Sequence, residues 1–476
     1  MSKVFIPATG IEKHFFWLST IPHGSYNEQA LSDALCARVR AAGLEAIQDA
    51  LGNVLVRKPA APGCEHKPPV LLQAHMDMVC TKVPGSTHDF LRDPLDLKVD
   101  DDGNLFAEGT SLGSDDGYGC AYMLELLLTD TVKHPELECL FTVQEEVGLI
   151  GAANFDTSIV RSRRMISMDS GGEHVATVST AGGRRLTFTL PTAPASVSGK
   201  TFLLNVTGLQ GGHSGGLLNL RAANAIKVLC HALLALDAAG VGLIEASGGE
   251  ADNAVPRYAS ALLRIPEDRL GDAQAIVAAH AARIAKLYSV TDPGFSMTLT
   301  EAATDDRPAC SLRCAALPVA LFNGVHSMDP SRPDVLALSC NLGVFSVADG
   351  ALKAQCMLRS ANPEYRDLLC EQLLATASAF GASCATDSDY PGMEYNPRSE
   401  MRRLFGEVVQ EVLGRELVES ATHGGMEIGY FSRRIPDLDI VTLGPNGSGA
   451  HSPSETLNLE SFNRMYGVLT KLIERL

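Results

Sequence analysis

The 476-residue sequence lacks an excess of basic residues, an uninterrupted apolar stretch of membrane-spanning length, and any C-x-x-C pair among its 12 cysteines. Each absence excludes something. A formal charge of −17 leaves no basic face for a nucleic-acid partner and implies a chain that repels anionic surfaces. The longest helix-like apolar stretch, "NAIKVLCHALLALDAAGVGLIEA", is broken by Lys227, His231, Asp237 and glycines, so no bilayer span is expected. The opening "MSKVFIPATGIEKHFFWLST" has no charged segment followed by an apolar one; no secretory signal is read there, and the expected location is cytoplasmic. Scattered cysteines in so long a chain are then expected to be reduced and buried, Cys80 being the one to watch because it follows a motif described below.

What is present is ordinary globular material, 45% hydrophobic and 20% charged, in a chain longer than one core usually serves. Four apolar, β-rich runs stand out: "PPVLLQAHMDMV", "LECLFTVQEEVG", "RRMISMDSGG" and, far downstream, "LDIVTLGPNGSGAHS". Helix-like patterns such as "GYGCAYMLELLLTD", "MRRLFGEVVQEVLG" and "ESFNRMYGVLTKLIERL" alternate with them. The fold expected is α/β, a catalytic domain with a mixed, largely parallel sheet flanked by helices. In such sheets ligands gather beyond the carboxyl ends of the strands, and His75, Asp77, Glu145, Glu146, Asp169 and His451 stand at or just past those ends.

The middle of the chain has strand and helix signals of its own, "GKTFLLNVTGLQ" before "NAIKVLCHALLAL" and "ALKAQCMLRS" before "YRDLLCEQLLATASAF". Because the fourth site-bearing strand follows this block, the block reads as an inserted α+β domain. The expected boundaries are 1–183 and 389–476 for the catalytic domain and 184–388 for the insertion.

Two adjacent glutamates at a strand end, as in "FTVQEEVGLIG", are more often a solvated terminus than a site. The surrounding residues change that balance. Catalytic zinc takes imidazole and carboxylate ligands and keeps a position open. A pair of ions about 3.5–4 Å apart needs roughly two imidazoles, a bridging carboxylate and one more carboxylate on each ion. His75, His451, Asp115, Glu146 and Asp169 supply that inventory. Asp115 lies in "GTSLGSDDGYG", where glycines permit a tight turn before a helix; a helix N-cap is the plainer role, and Asp116 competes for the bridging place. His75 and Asp77 are two apart and face one side of an extended strand, so the aspartate can orient the imidazole. Of the two glutamates, one can ligate while the other stays free to take a proton from water.

The segments "HMD", "LGSDDG", "QEEVGLIGA", "MDS", "GGHSGG" and "GAHSPSE", in this order, resemble the zinc-dependent aminoacylase and carboxypeptidase family of co-catalytic metallopeptidases, most of all its aminoacyl-histidine dipeptidases. The resemblance runs from "IPHGSYNEQAL" through "NAVPR" to "THGGMEIGYF". It implies two Zn2+ per subunit, with Co2+ or Mn2+ as substitutes, His75, Asp115 and Asp169 on one ion, and Asp115, Glu146 and His451 on the other. It further implies Glu145 as general base, Asp77 orienting His75, and hydrolysis of Xaa-His and other unblocked dipeptides. The inserted domain becomes a lid in which His213 polarises the scissile carbonyl, and Asn253, Arg359 and His423 hold the substrate. The oligomeric state is left open between a single chain and a homodimer. The sequence departs from the dipeptidase pattern at "SDDG", where an asparagine is expected after the first aspartate, and at "MDSGGEH", less acidic than expected.

Other amidohydrolases of the same family (a tripeptidase, a carboxypeptidase or an N-acyl amino acid deacylase) fit the same motifs. Two different classes also compete. "GHSGG" satisfies the G-x-S-x-G pattern of a serine hydrolase with Ser214 as nucleophile, and "HGG" at 423–425 mimics an oxyanion loop, but that reading leaves "HMD", "QEE" and "MDS" idle. An inactive binding protein on the same fold would have no need of the complete ligand set.

Overall fold

Strands Val70–His75 and Leu137–Thr142 are buried at every position, as continuous apolar runs in the middle of a parallel sheet must be. The structure is a computed structural model that describes residues 2–214, 222–330, 332–333 and 335–476; the side chain of His213 is outside that description. Within it the two strands pair in parallel, and Val70–His75 pairs in parallel with Arg164–Ser167, which pairs in parallel with Asp439–Thr442. The four expected site-bearing runs are therefore contiguous. Antiparallel Val54–Lys58 and Glu45–Gln48 complete a six-stranded mixed sheet.

Helices cover this sheet. Ser114–Leu128 packs on the Val70–His75 strand, and Gly119 makes that possible: a Cβ there would lie 2.7 Å from Met168 Cβ and 2.9 Å from Ala74 Cβ. Glu400–Leu413 and Leu459–Arg475 pack on one another and bury Phe405, Val408, Phe462, Leu469 and Leu472 in the same core. Ser399 and Asn458 cap these helices by accepting hydrogen bonds from Arg402 N–H and Ser461 N–H.

The chain forms two compact units, the first from residues 1–179, 393–421 and 426–476, the second from 180–392 and 422–425. Residues 422–425, which the sequence reading had left with the catalytic domain, go with the second unit. The second unit is built on an antiparallel sheet whose main path runs Ser296–Glu301, Lys200–Thr207, Ala259–Ile265, Gly242–Gly248, Leu336–Ala348, Ala351–Ser360, Gly182–Pro191, Ser383–Tyr390. Ala259–Ile265 alternates buried and half-buried residues, the signature of a sheet with one covered face. Ala225–Leu236, Leu270–Leu287 and Pro363–Ala379 contribute Leu229, Leu233, Val277, Ile284, Leu369 and Leu373 to its core.

Among the described residues no helix is long and apolar enough to cross a membrane. All 12 cysteines are free, and ten are buried. Cys80 is exposed as a residue, yet burial of its thiol, with the charges of Asp77 and Glu28, pushes it up to about 11, which keeps it protonated and unreactive near neutral pH.

Candidate active site

In the first unit, His75 ends its strand with the imidazole buried. Its Nδ1 meets the backbone carbonyl of Asp77 at 2.9 Å, and its Nε2 meets Asp115 Oδ1 at 3.2 Å. The Asp77 carboxylate also faces Nδ1, at 3.6 Å, so both the carbonyl and the side chain of Asp77 stand beside the ring. Asp77 uses its carboxylate elsewhere as well: it accepts from Ser25 Oγ (2.8 Å), Glu145 N–H (2.9 Å) and Glu146 N–H (3.2 Å).

Asp115, not Asp116, lies between the two imidazoles. Its second oxygen, Oδ2, is 3.3 Å from His451 Nε2, and His451 Nε2 is 2.9 Å from Glu146 Oε1. Asp116 faces inward instead: its Oδ1 accepts Gly119 N–H at 3.2 Å, and its buried Oδ2 has no hydrogen-bond partner among the described residues. The turn before Asp115 is shaped by Gly113 at φ 67 and by Glu455, whose carboxylate accepts the N–H groups of Leu112 (2.8 Å), Gly113 (3.0 Å) and Ser114 (2.8 Å) and the Ser114 hydroxyl (2.7 Å). Sequence reasoning passed over Glu455, although it stands within "GAHSPSE" four residues after His451.

The ligand atoms of His75, Asp115 and Glu146 all lie within 4.8 Å of one another, a group that could hold a metal ion. Charge says the same. Burial, then the Asp115 carboxylate, pushes Asp169 up to about 7, and Glu146 adds to the effect. Burial, then Asp169, Glu427 and Glu146, holds Glu145 well above the usual carboxylate range against the pull of His75. The imidazoles go the other way: hydrogen bonds to Asp115 and then Glu146 raise His451 to about 10, and His75 is held well above its ordinary value by Asp115 and Asp77 although burial opposes it. Asp169 is crowded until it resists ionising, while the hydrogen bonds of His451 and His75 hold the Asp115 carboxyl below its ordinary range; carboxylates gathered around two imidazoles are a donor set suited to divalent cations. His75, Asp115, Glu146, Asp169 and His451 are the residues that would hold them.

The chain matches the sequence profile of peptidase family M20/M25/M40 over residues 71–475. It belongs to that family. It is 30% identical over 469 residues to the cytosol non-specific dipeptidase of Escherichia coli (strain K12), an alignment covering 97% of this chain and 96% of the relative. The crystal structure of aminoacylhistidine dipeptidase from Vibrio alginolyticus superposes with a TM-score of 0.90 at 29% identity, covering 98% of this chain and 96% of that one. A tripeptidase from Staphylococcus aureus, with a TM-score of 0.56 at 17% identity over 98% of this chain and 97% of that one, shares the fold.

In this M20/M25/M40 peptidase a further carboxylate, which the sequence reading did not single out, bonds Thr142 at the end of the strand that leads into the glutamate pair. Glu427 accepts from Gln73 Nε2 (2.7 Å), Thr142 Oγ1 (2.5 Å) and Ala152 N–H (3.3 Å), and burial pushes it up to about 8. Its residue type and place in "THGGMEIGYF" gave no periodic signal.

The second unit is described by itself. Gly212–His213 pairs antiparallel with Ala254–Val255, and Ser214 N–H donates to Asn253 O at 2.8 Å, so the backbones of "GGHS" and "NAVPR" are neighbours. Asn253 is exposed. The side chain of His213 and residues 215–216 of its motif lie outside the described residues. Ser214 Oγ is buried and meets no partner among the described residues, so no imidazole is seen to activate it as a serine hydrolase requires. Arg359 is buried; its guanidinium donates to Tyr390 Oη (2.9 Å) and His423 O (3.3 Å), while its Nε has no partner among the described residues. No carboxylate pairs with it among the described residues. His423 Nε2 is 2.6 Å from Ser339 Oγ. Asn341, on the same strand as Ser339, is also buried, its Oδ1 without a partner among the described residues, and sequence reading missed it for want of any motif.

Proposed function

We propose that the protein is a metal-dependent dipeptidase that hydrolyses unblocked dipeptides, Xaa-His among them, with two divalent ions per chain, zinc first and cobalt or manganese as substitutes. The observation that carries this reading is the placement of Asp115 between His75 and His451, with Glu146 on His451 and the neighbouring Glu145 on neither imidazole. The names and activities of the two full-length relatives support it. The E. coli relative is described as cytosolic, which supports a cytoplasmic location here.

Divalent ions at this site would supply Lewis-acid polarisation of the scissile carbonyl and acidify the attacking water. The chain's own residues do the rest. Glu145 takes the proton from water and returns it to the departing amine; it stands beside Glu146 but pairs with neither imidazole among the described residues, which leaves it free for that task. Asp77 fixes the turn through both glutamate amides. Arg359 suits the substrate's C-terminal carboxylate, because a buried guanidinium whose Nε and charge meet no partner carboxylate among the described residues favours a planar anion. His213 polarises the carbonyl, and Asn253 and His423 help hold the peptide backbone.

The test is hydrolysis of a dipeptide panel that includes Xaa-His, before chelation, after chelation and after zinc is restored. Activity should vanish and return. Hydrolysis by a sample shown by elemental analysis to be metal-free would overturn the reading. The panel also separates a dipeptidase from a tripeptidase, a carboxypeptidase or a deacylase, which would prefer tripeptides, longer peptides or N-acyl amino acids.

A further inference from the structure

Four consecutive backbone amides lead into and through the glutamate pair, and each donates to a side chain. Val143 N–H donates to Asn53 Oδ1 at 3.1 Å, Gln144 N–H to Glu28 Oε1 at 3.1 Å, Glu145 N–H to Asp77 Oδ1 at 2.9 Å and Glu146 N–H to Asp77 Oδ2 at 3.2 Å. At a strand end the sheet no longer supplies acceptors, and N–H groups in so dry a place need partners. Gln144 is the critical link. Its φ of 55 lies in the left-handed region that residues with a Cβ avoid, so its conformation persists only when its surroundings hold it. That bend sends the chain off the strand direction, bringing Glu146 to 2.9 Å from His451 while Glu145 stays off both imidazoles.

The acceptor that meets the Gln144 amide is a buried carboxylate. Glu28 is 4% exposed, and the same oxygen also accepts Tyr26 N–H at 3.1 Å. Asn53 is wholly buried and is fixed in turn: its amide nitrogen donates to Asp49 Oδ2 (2.7 Å) and Gly151 O (3.2 Å). Ser25, three residues before Glu28, donates to Asp77 Oδ2 at 2.8 Å. All three lie before residue 71, where the match to the peptidase family begins.

We infer that Glu28, seconded by Asn53, is a positioning residue for the reaction: as an acceptor it holds Gln144 in its left-handed turn and thereby sets the direction of the general base Glu145 relative to the ligand Glu146. Neither residue touches the reacting atoms. The inference rests on the dipeptidase reading for its kinetic consequence, and on the hydrogen bonds alone for its structural one.

The experiment compares Glu28→Gln, Glu28→Asp and Glu28→Ala in the zinc-loaded protein by kcat, KM, metal content and amide exchange of the 141–151 segment. Gln keeps an acceptor oxygen at the same reach and should keep the parental kcat and exchange protection. Asp withdraws the oxygen by one methylene and Ala removes it; both should expose the segment to exchange and lower kcat by about tenfold to a hundredfold, the cost of a displaced reacting group. KM should stay parental, and kcat should fall by more than any loss of metal explains. Glu28→Asp keeps the buried charge and stands in should the alanine variant not fold. Parental kcat in the Asp and Ala variants, an equal loss in the Gln variant, or a loss accounted for by missing metal would overturn the inference. A parent without dipeptidase activity would instead sink the functional reading, and amide exchange would still decide whether Glu28 holds the turn.

Discussion

Asp77 Oδ1 accepts the backbone N–H of Glu145 at 2.9 Å, which ties the second residue past the His75 strand to the proposed base at the end of its parallel neighbour. The adjacent oxygen accepts Glu146 N–H and Ser25 Oγ, so one carboxylate serves three donors. An asparagine has a single acceptor oxygen and would turn its NH2 toward donors. Asp77→Asn should therefore leave at least one buried donor unpaired, at about 1–3 kcal/mol. It should also weaken metal affinity by about 10- to 100-fold, as loss of groups supporting metal ligands does. Isothermal titration with zinc and thermal unfolding of the apo-protein read the two effects separately.

Glu145 and Glu146 are neighbours to which the dipeptidase reading gives different tasks, and substitution should separate them. Glu145→Gln removes the proton acceptor and leaves the ligands intact; kcat should fall by about 10²–10⁴-fold or more with full metal content. Glu146→Gln should empty metal from the His451 side. Elemental analysis beside steady-state kinetics checks both, and parental turnover in Glu145→Gln would show that another group takes the proton.

The parts of this site that the sequence disclosed are those carried by strands. Val70–His75, Leu137–Thr142, Arg164–Ser167 and Asp439–Thr442 are short apolar runs whose carboxyl ends coincide with chemistry-bearing residues, and the pattern needs no knowledge of distant contacts. What stayed hidden are solitary polar residues acting across the chain. Glu28 meets Gln144 from 116 positions away, Glu427 meets Thr142 from 285 and Glu455 meets Ser114 from 341. Each stands within a segment the resemblance covers, but none has a periodicity that marks it, because what makes each an acceptor is the tertiary fold. For Asp77 the spacing pointed to His75 but not to the turn: its carboxylate stands 3.6 Å from that imidazole and also accepts the amides of Glu145 and Glu146.

Glu427 makes stability depend on pH in a direction opposite to that of a salt-bridged acid. Burial, the largest cause, pushes its carboxyl from 4.5 up to about 8, so the folded state binds its proton more tightly than the unfolded state does. Its contribution is fully present below about 4.5 and is lost as pH rises toward about 8, at about 1.4 kcal/mol per pH unit within that window. Glu427→Gln, which cannot ionise, should match the parent near the acid end and exceed it increasingly toward pH 8. Chemical unfolding of the apo-proteins at several pH values measures the gap, and a gap that stays constant would show that Glu427 ionises alike in both states.

Arg359 offers the sharpest test of the second unit's role. It is buried, bonds Tyr390 Oη and His423 O, and has no acidic partner among the described residues. Such a charge is unfavourable unless an anion arrives to meet it. If that anion is the substrate's C-terminal carboxylate, Arg359→Ala should raise KM by about 30-fold or more, since truncating one partner of a buried charge pair costs about 2–5 kcal/mol. The loss should be confined to substrates that carry the carboxylate. A dipeptide amide should be a poor substrate for the parent and suffer little further from the substitution, because the group that Arg359 would meet is already gone. Arg359→Lys should recover only part of the affinity, a point charge replacing a two-pronged donor. Equal losses for the free acid and the amide would assign the guanidinium to holding Tyr390 and His423 in place instead of the substrate.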